Sequence, residues 1–265
     1  MCRKSGKRFF LIFTVHISFL ICKDNTEVLS FFDEIHEYIT KLALELSLTQ
    51  YCISTAMVFF HKYCLIKQDG FKTKLEAKLV ASACLFISIK TNYGFISVEK
   101  IASVASSLLK GCEEIGEKII KSEIKILAKI GFDLDIDLPY KFLESMIDYL
   151  RRNFKDNFRN FLQTTTNFIN DSFKLPLCLN YEPKLIALTS IFLTAKLFNI
   201  TLPDENGVKW YNLNDKTIKY DTLLEVANLL NNMYMIISAP NFKSEELDIK
   251  LIRYRCKGGR KLPII

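Results

Sequence analysis

Apolar positions in the first half of the chain recur at helical spacing. Ile35, Ile39, Leu42 and Leu46 form one stripe, and Ile53, Met57, Phe60 and Cys64 form a second, each marking one face of an amphipathic helix. Residues 75–90 follow a different rule. Leu79, Val80, Ala81, Ala83, Cys84, Leu85, Phe86, Ile87 and Ile89 cover almost the whole circumference. A helix that is apolar all round is a buried one, so this segment is predicted to be the centre of a bundle. A short helix is predicted over 98–109 with Ser97 as its N-cap. A fifth is predicted over 114–130, packing through Ile120, Ile124 and Leu127 and ended by Gly131. Gly70, Gly94, Gly111 and Gly131 punctuate these pieces, and no proline occurs before Pro139 to interrupt them.

The central segment occurs twice. Lys78-Leu79-Val80-Ala81 leads through Leu85-Phe86-Ile87-Ser88 to Lys90. Lys184-Leu185-Ile186-Ala187 leads through Ile191-Phe192-Leu193-Thr194 to Lys196, always 106 residues on and without a gap. That period is too long for a solenoid unit and suits a small domain. The expected fold is therefore all-α, two tandem five-helix bundles, with a first domain at 31–138 and a second at 139–238. The joint is 132–139, where Asp133, Asp135 and Asp137 alternate with Leu134, Ile136 and Leu138 before Pro139, a residue suited to a first helical turn. Alternation is strand-like, but this segment has no sheet to join. The second copy is looser. Helices are predicted over 140–152, 154–173 and 183–198, and one or two over 219–235, with a polar loop around Pro203 and Gly207 followed by Trp210 and Tyr211.

Composition adds limits. At 265 residues and 49% hydrophobic residues, two cores can be filled. The net charge of +7 is spread along the chain, whereas a nucleic-acid binder concentrates its charge in a patch. No two of the eight cysteines have zinc-ribbon or redox spacing, and they read as small buried hydrophobes of a reducing compartment. Residues 1–30 are an extension in which Arg3, Lys4, Lys7 and Arg8 precede an apolar run to Cys22. The order resembles a signal peptide, but the run is short for a membrane span and lacks a small-x-small cleavage site. A docking helix or a wrongly assigned start codon is the expectation. Residues 239–265 form a basic tail, read as solvated, with a nuclear-import or phosphate-binding patch as the second reading.

Chemistry is sparse. No phosphate-binding glycine loop, dinucleotide fingerprint, zinc-protease or nucleophile-elbow motif occurs. His61 lies beside an apolar stripe and reads as structural. The Asp133-x-Asp135-x-Asp137 run lacks the glycine and distal glutamate of a calcium loop, so no metal is expected. With no catalytic residues and no cofactor or small-molecule substrate expected, the duplicated bundle reads as a binding module. Two charges stand out. Lys90 ends the most apolar segment, and Glu123 lies one turn before Leu127. On periodicity alone, Lys90 could reach solvent while Glu123 decorates a surface. Alternatively the two meet, presenting a donor and an acceptor at an apolar surface that aligns an incoming helix. Lys196 takes the equivalent place in the second copy, with no glutamate at a matched distance.

Three stretches carry a family resemblance. Ile53-Ser54-Thr55-Ala56-Met57-Val58-Phe59-Phe60-His61-Lys62-Tyr63 resembles the second helix of a cyclin box. Residues 81–90 resemble its third, and 123–134 its fifth helix and exit. The first stretch and Lys209-Trp210-Tyr211-Asn212-Leu213 resemble the transcriptional cyclins of types T, K and L. The resemblance implies a nuclear regulatory subunit that binds and activates a cyclin-dependent protein kinase in RNA polymerase II transcription. It implies that Lys90 and Glu123 hold the kinase helix, with Leu127, Phe132 and Leu134 on the same face. Thr91-Asn92-Tyr93-Gly94 depart from the pair of acidic residues that the family often places after the lysine, and 32–46 lacks the tryptophan of the substrate-docking helix of cell-cycle cyclins. Nucleic acid and membrane are not expected as partners. The rival reading is a promoter factor of the transcription factor IIB type, also built on two cyclin repeats, although the cysteines do not provide its zinc ribbon. A divergent cyclin serving as a scaffold is a third.

Overall fold

The computed structural model describes residues 26–67, 71–92, 94–109, 112–154 and 157–238. The N-terminal run and the basic tail lie outside them. Among the described residues the chain is all-α: ten α-helices, two short 3-10 helices and one isolated bridge between Glu205 and Val208. It folds as two compact units, one spanning Phe31–Ile136 and the other beginning at Asp137.

The first unit takes α1 (Thr26–Glu45) from Phe31 onward, then α2 (Gln50–Lys67), α3 (Lys74–Asn92), α4 (Val98–Leu108) and α5 (Ile115–Lys129). Helix α3 is the hub, packing on α2, α4 and α5. Every residue from Val80 to Ile89 is buried. Small residues along it, Ala81, Ala83, Cys84 and Ser88, let neighbouring helices approach from all sides. Ser88 Oγ donates to the carbonyl of Cys52 at 2.7 Å, so the hub's polar atoms are spent on its neighbours. Helix α1 is tied to α3 by Tyr38 Oη and Ser82 Oγ, 2.7 Å apart, and by Glu34, which takes Lys74 at 2.7 Å and Lys78 at 2.8 Å. Burial pushes the Tyr38 hydroxyl up to about 12. Ser97 caps α4 as expected, accepting from the Lys100 N–H at 3.4 Å.

Two readings of this unit need correction. Helix α2 is buried on every side from Cys52 to His61, not along one stripe. Its polar positions Ser54 and Thr55 are small enough to be enclosed, and His61 lies against Phe32 at 5.0 Å. Helix α5 carries two apolar stripes, and the core takes the other one. Ile115, Ile119, Glu123 and Ile126 are buried, while Ile120 and Ile124 face out and Leu127 is half-exposed. Periodicity cannot choose between two parallel stripes on one helix; packing against α3 and α4 does.

The second unit comprises α6 (Pro139–Ser145), α7 (Ile147–Asn153), α8 (Phe158–Ser172), a 3-10 turn at Pro176–Leu179, α9 (Pro183–Phe198), a second 3-10 turn at Trp210–Asn212 and α10 (Tyr220–Ser238). Helix α9 is again the hub, packing on α6, α8 and α10 and buried from Leu185 to Ala195. It runs from Pro183 to Phe198 as the repeat predicts and is closed by Asn199 at φ 55. The predicted first helix of this copy is instead broken at Met146. The Ser145 hydroxyl takes the Phe142 carbonyl at 2.7 Å, and the Met146 N–H turns to Leu143 at 3.0 Å. Tyr149 Oη donates to the Pro203 carbonyl at 2.8 Å and Arg152 meets Glu205 at 3.0 Å, pinning the polar loop.

Candidate functional site

Lys90 enters the last turn of α3, and Glu123 stands in the middle of α5, whose inner face packs on that helix. Lys90 Nζ donates to Glu123 Oε1 at 2.7 Å. The carboxylate side chain is 10% exposed and the lysine 45%, so the acceptor is enclosed and the donor sits at the rim. Enclosing a lone carboxylate is costly, and the ammonium offsets that cost by a charge-assisted hydrogen bond. Lys90 Nζ also lies 4.0 Å from the centre of the Phe86 ring, which favours a cation over its face. The two charges meet, and Glu123 is enclosed instead of decorating a surface.

The predicted apolar residues lie on α5 and in the segment that follows it. Leu127 lies on α5 one turn beyond Glu123 and is half-exposed. Phe132 follows the helix and is 66% exposed. Its N–H bonds the Leu127 carbonyl at 3.0 Å, and its backbone sits at φ 56, just after Gly131 at φ 65. Leu134 is half-buried in the exit segment, which Asp133 ties to α2 through Lys62 at 2.8 Å. The sequence reading passed over two things. It assigned Ile124, 62% exposed, to the core, and it gave no role to Phe95, 86% exposed between α3 and α4. Apolar type alone gives no signal that either residue faces out. Among the described residues, no cluster of metal-ligating side chains occurs and no helix is long and apolar enough to cross a membrane.

The second unit repeats half of the arrangement. Lys196 lies 5.4 Å from the centre of the Phe192 ring, as Lys90 does over Phe86. Among the described residues Lys196 has no carboxylate partner. On α10, Asp221, Glu225 and Asn228 are exposed.

Residues 18–135 match the family model "Cyclin, N-terminal domain". The first unit is a cyclin domain. The chain resembles the transcriptional cyclins. It is 29% identical over 211 residues to Cyclin-T1-3 of Oryza sativa subsp. japonica, covering 74% of this chain and 41% of that protein. It is 24% identical to an uncharacterised cyclin-L1-like protein of Schizosaccharomyces pombe, covering 75% of this chain and 80% of that one. The chain thus spans about two fifths of the length of plant relatives such as Cyclin-T1-3. Among solved structures, the yeast RNA Pol II CTD kinase CTDK-1 complex matches with a TM-score of 0.66 at 14% identity, covering 92% of this chain and 80% of that chain. This likeness concerns the fold.

Proposed function

We propose that the chain is the regulatory subunit of a cyclin-dependent serine/threonine protein kinase, acting in the nucleus in RNA polymerase II transcription. The observation that carries the proposal is the enclosed Lys90–Glu123 pair beside an outward apolar stripe, formed in the first unit alone. Resemblance to T-type cyclins and to a chain of a polymerase-tail kinase complex supports the transcriptional role. The kinase-binding domain is residues 31–138, and the second repeat is residues 139–238. Lys90, Glu123, Leu127, Phe132 and Leu134 hold the kinase helix that carries its catalytic glutamate. Seated there, that helix brings the glutamate to the kinase lysine that positions ATP phosphates. The chain contributes no catalytic group. It binds the active kinase conformation better than the inactive one and shifts the population accordingly.

Purification of the tagged chain from its own cells, with mass spectrometry, provides the test. A stoichiometric cyclin-dependent kinase that phosphorylates a polymerase-tail peptide only with this chain bound is the expected result. Promoter factors or polymerase without a kinase would replace the proposal with the transcription factor IIB-like reading.

A further inference from the structure

After Lys90 the chain carries Thr91 and Asn92, uncharged residues whose side chains turn back on α3 and α2. Thr91 Oγ1 donates back to the carbonyls of Ser88 at 3.0 Å and Ile87 at 3.2 Å. Asn92 Nδ2 donates to the Ser88 carbonyl at 3.2 Å and to Thr55 Oγ1 at 3.3 Å. These bonds are spent in closing α3, and neither Thr91 nor Asn92 carries a charge. The end of α3 therefore offers a partner no free charge from these residues.

It offers an aromatic ring. Phe95 is 86% exposed, the most exposed large apolar side chain described. Gly94, at φ 107, donates its N–H to the Ile89 carbonyl at 3.1 Å, and Ser97 caps the following helix two residues on. Chain geometry through that bond keeps the Cα of Phe95 within about 12 Å of that of Lys90. Phe95 thus lies within side-chain reach of whatever covers the Lys90–Glu123 pair. Aromatic anchors that become buried dominate interfaces.

Resting on the proposed kinase role, we infer that Phe95 is a specificity-determining anchor. It enters an apolar pocket of the kinase beside the helix docked on α5, in place of an ionic contact. The matching kinase then carries apolar residues at that point, and the contact is insensitive to salt because no free charge takes part.

The test uses the kinase identified by purification, co-produced and titrated against the full chain at low and high salt. Phe95→Ala should weaken binding by about tenfold or more, by the same factor at both salt concentrations, whereas Phe95→Leu should keep most of the affinity. Ile124→Asp serves as the control for the docking face itself. If Ile124→Asp abolishes binding and Phe95→Ala leaves it within twofold (about the scatter of such titrations), the anchor is wrong and the kinase role stands. If Ile124→Asp is also silent, the docking face is wrong as well. A Phe95→Ala effect that vanishes at high salt also overturns the inference. So does one confined to self-association of the chain in sedimentation.

Discussion

At matched positions the two hub helices carry a lysine above a phenylalanine: Lys90 over Phe86 and Lys196 over Phe192. Lys78 and Lys184, also matched, both hold a carboxylate, Glu34 in one case and Asp215 in the other. Ser88 and Thr194 both tie the hub to the preceding helix, through the Cys52 carbonyl and Thr165 Oγ1. The interior plan has been kept in both bundles. The exposed positions of the last helix differ: α5 shows Ile120 and Ile124 among lysines, whereas α10 shows Asp221, Glu225 and Asn228 beside Tyr220. Only the bundle with the apolar face supplies a glutamate to its lysine. Shared interior residues therefore report a shared fold, and the divergent exterior is where the proposed kinase-binding face of the first unit departs from its copy.

The comparison can be broken at several points. Phe86→Ala and Phe192→Ala should each cost about 3–5 kcal/mol, since both remove a large ring from a buried hub. Separate unfolding transitions in denaturant would show whether each change strikes its own bundle. The double change Lys90→Ala, Glu123→Ala should cost roughly 2–5 kcal/mol of kinase binding with little loss of fold, whereas Lys196→Ala should leave binding unchanged. Wild-type activation by the double variant would defeat the assignment of the face. Ser88→Ala and Thr194→Val should each lower stability by about 1 kcal/mol, the net worth of one hydrogen bond, read as equal shifts in chemical denaturation.

Acid gives the smallest and most local effect. Hydrogen bonds from the Thr217 hydroxyl and N–H, and then from Lys184, hold the Asp215 carboxyl well below its ordinary 3.8. Glu34 is lowered from 4.5 in the same way by Lys74 and Lys78. A carboxyl depressed by folding contributes stability that is present above its unfolded value and disappears as pH falls through the folded one. Stability should therefore decline as pH falls below about 4. Asp215→Asn should flatten that decline in the second unit and Glu34→Gln in the first, each followed by thermal unfolding against pH.

The hubs were legible because a helix buried on all sides must be apolar on all sides, and the 106-residue offset exposed the copy. Ser97 was legible because a cap has local chemistry. Helix α5 was not. Its two apolar stripes satisfy helical spacing equally, and which one faces α3 is decided by neighbours far along the chain. The Met146 break turns on one hydroxyl diverting one carbonyl, which no pattern records. Residue type marked Lys90 and Glu123 as unusual, while their 2.7 Å contact depends on where two helices cross.

Phe132 bears on anyone who sets out to make this protein more heat-resistant. Its backbone, at φ 56, lies in the left-handed region, where a side chain costs about 1–2 kcal/mol and glycine is at ease. Its ring is 66% exposed and fills little of the core. Phe132→Gly is thus the substitution a stability screen would reward, and, if the proposed face is right, the one an activity screen would reject. Selection in the test tube for melting temperature alone would then erode the surface proposed to hold the kinase helix.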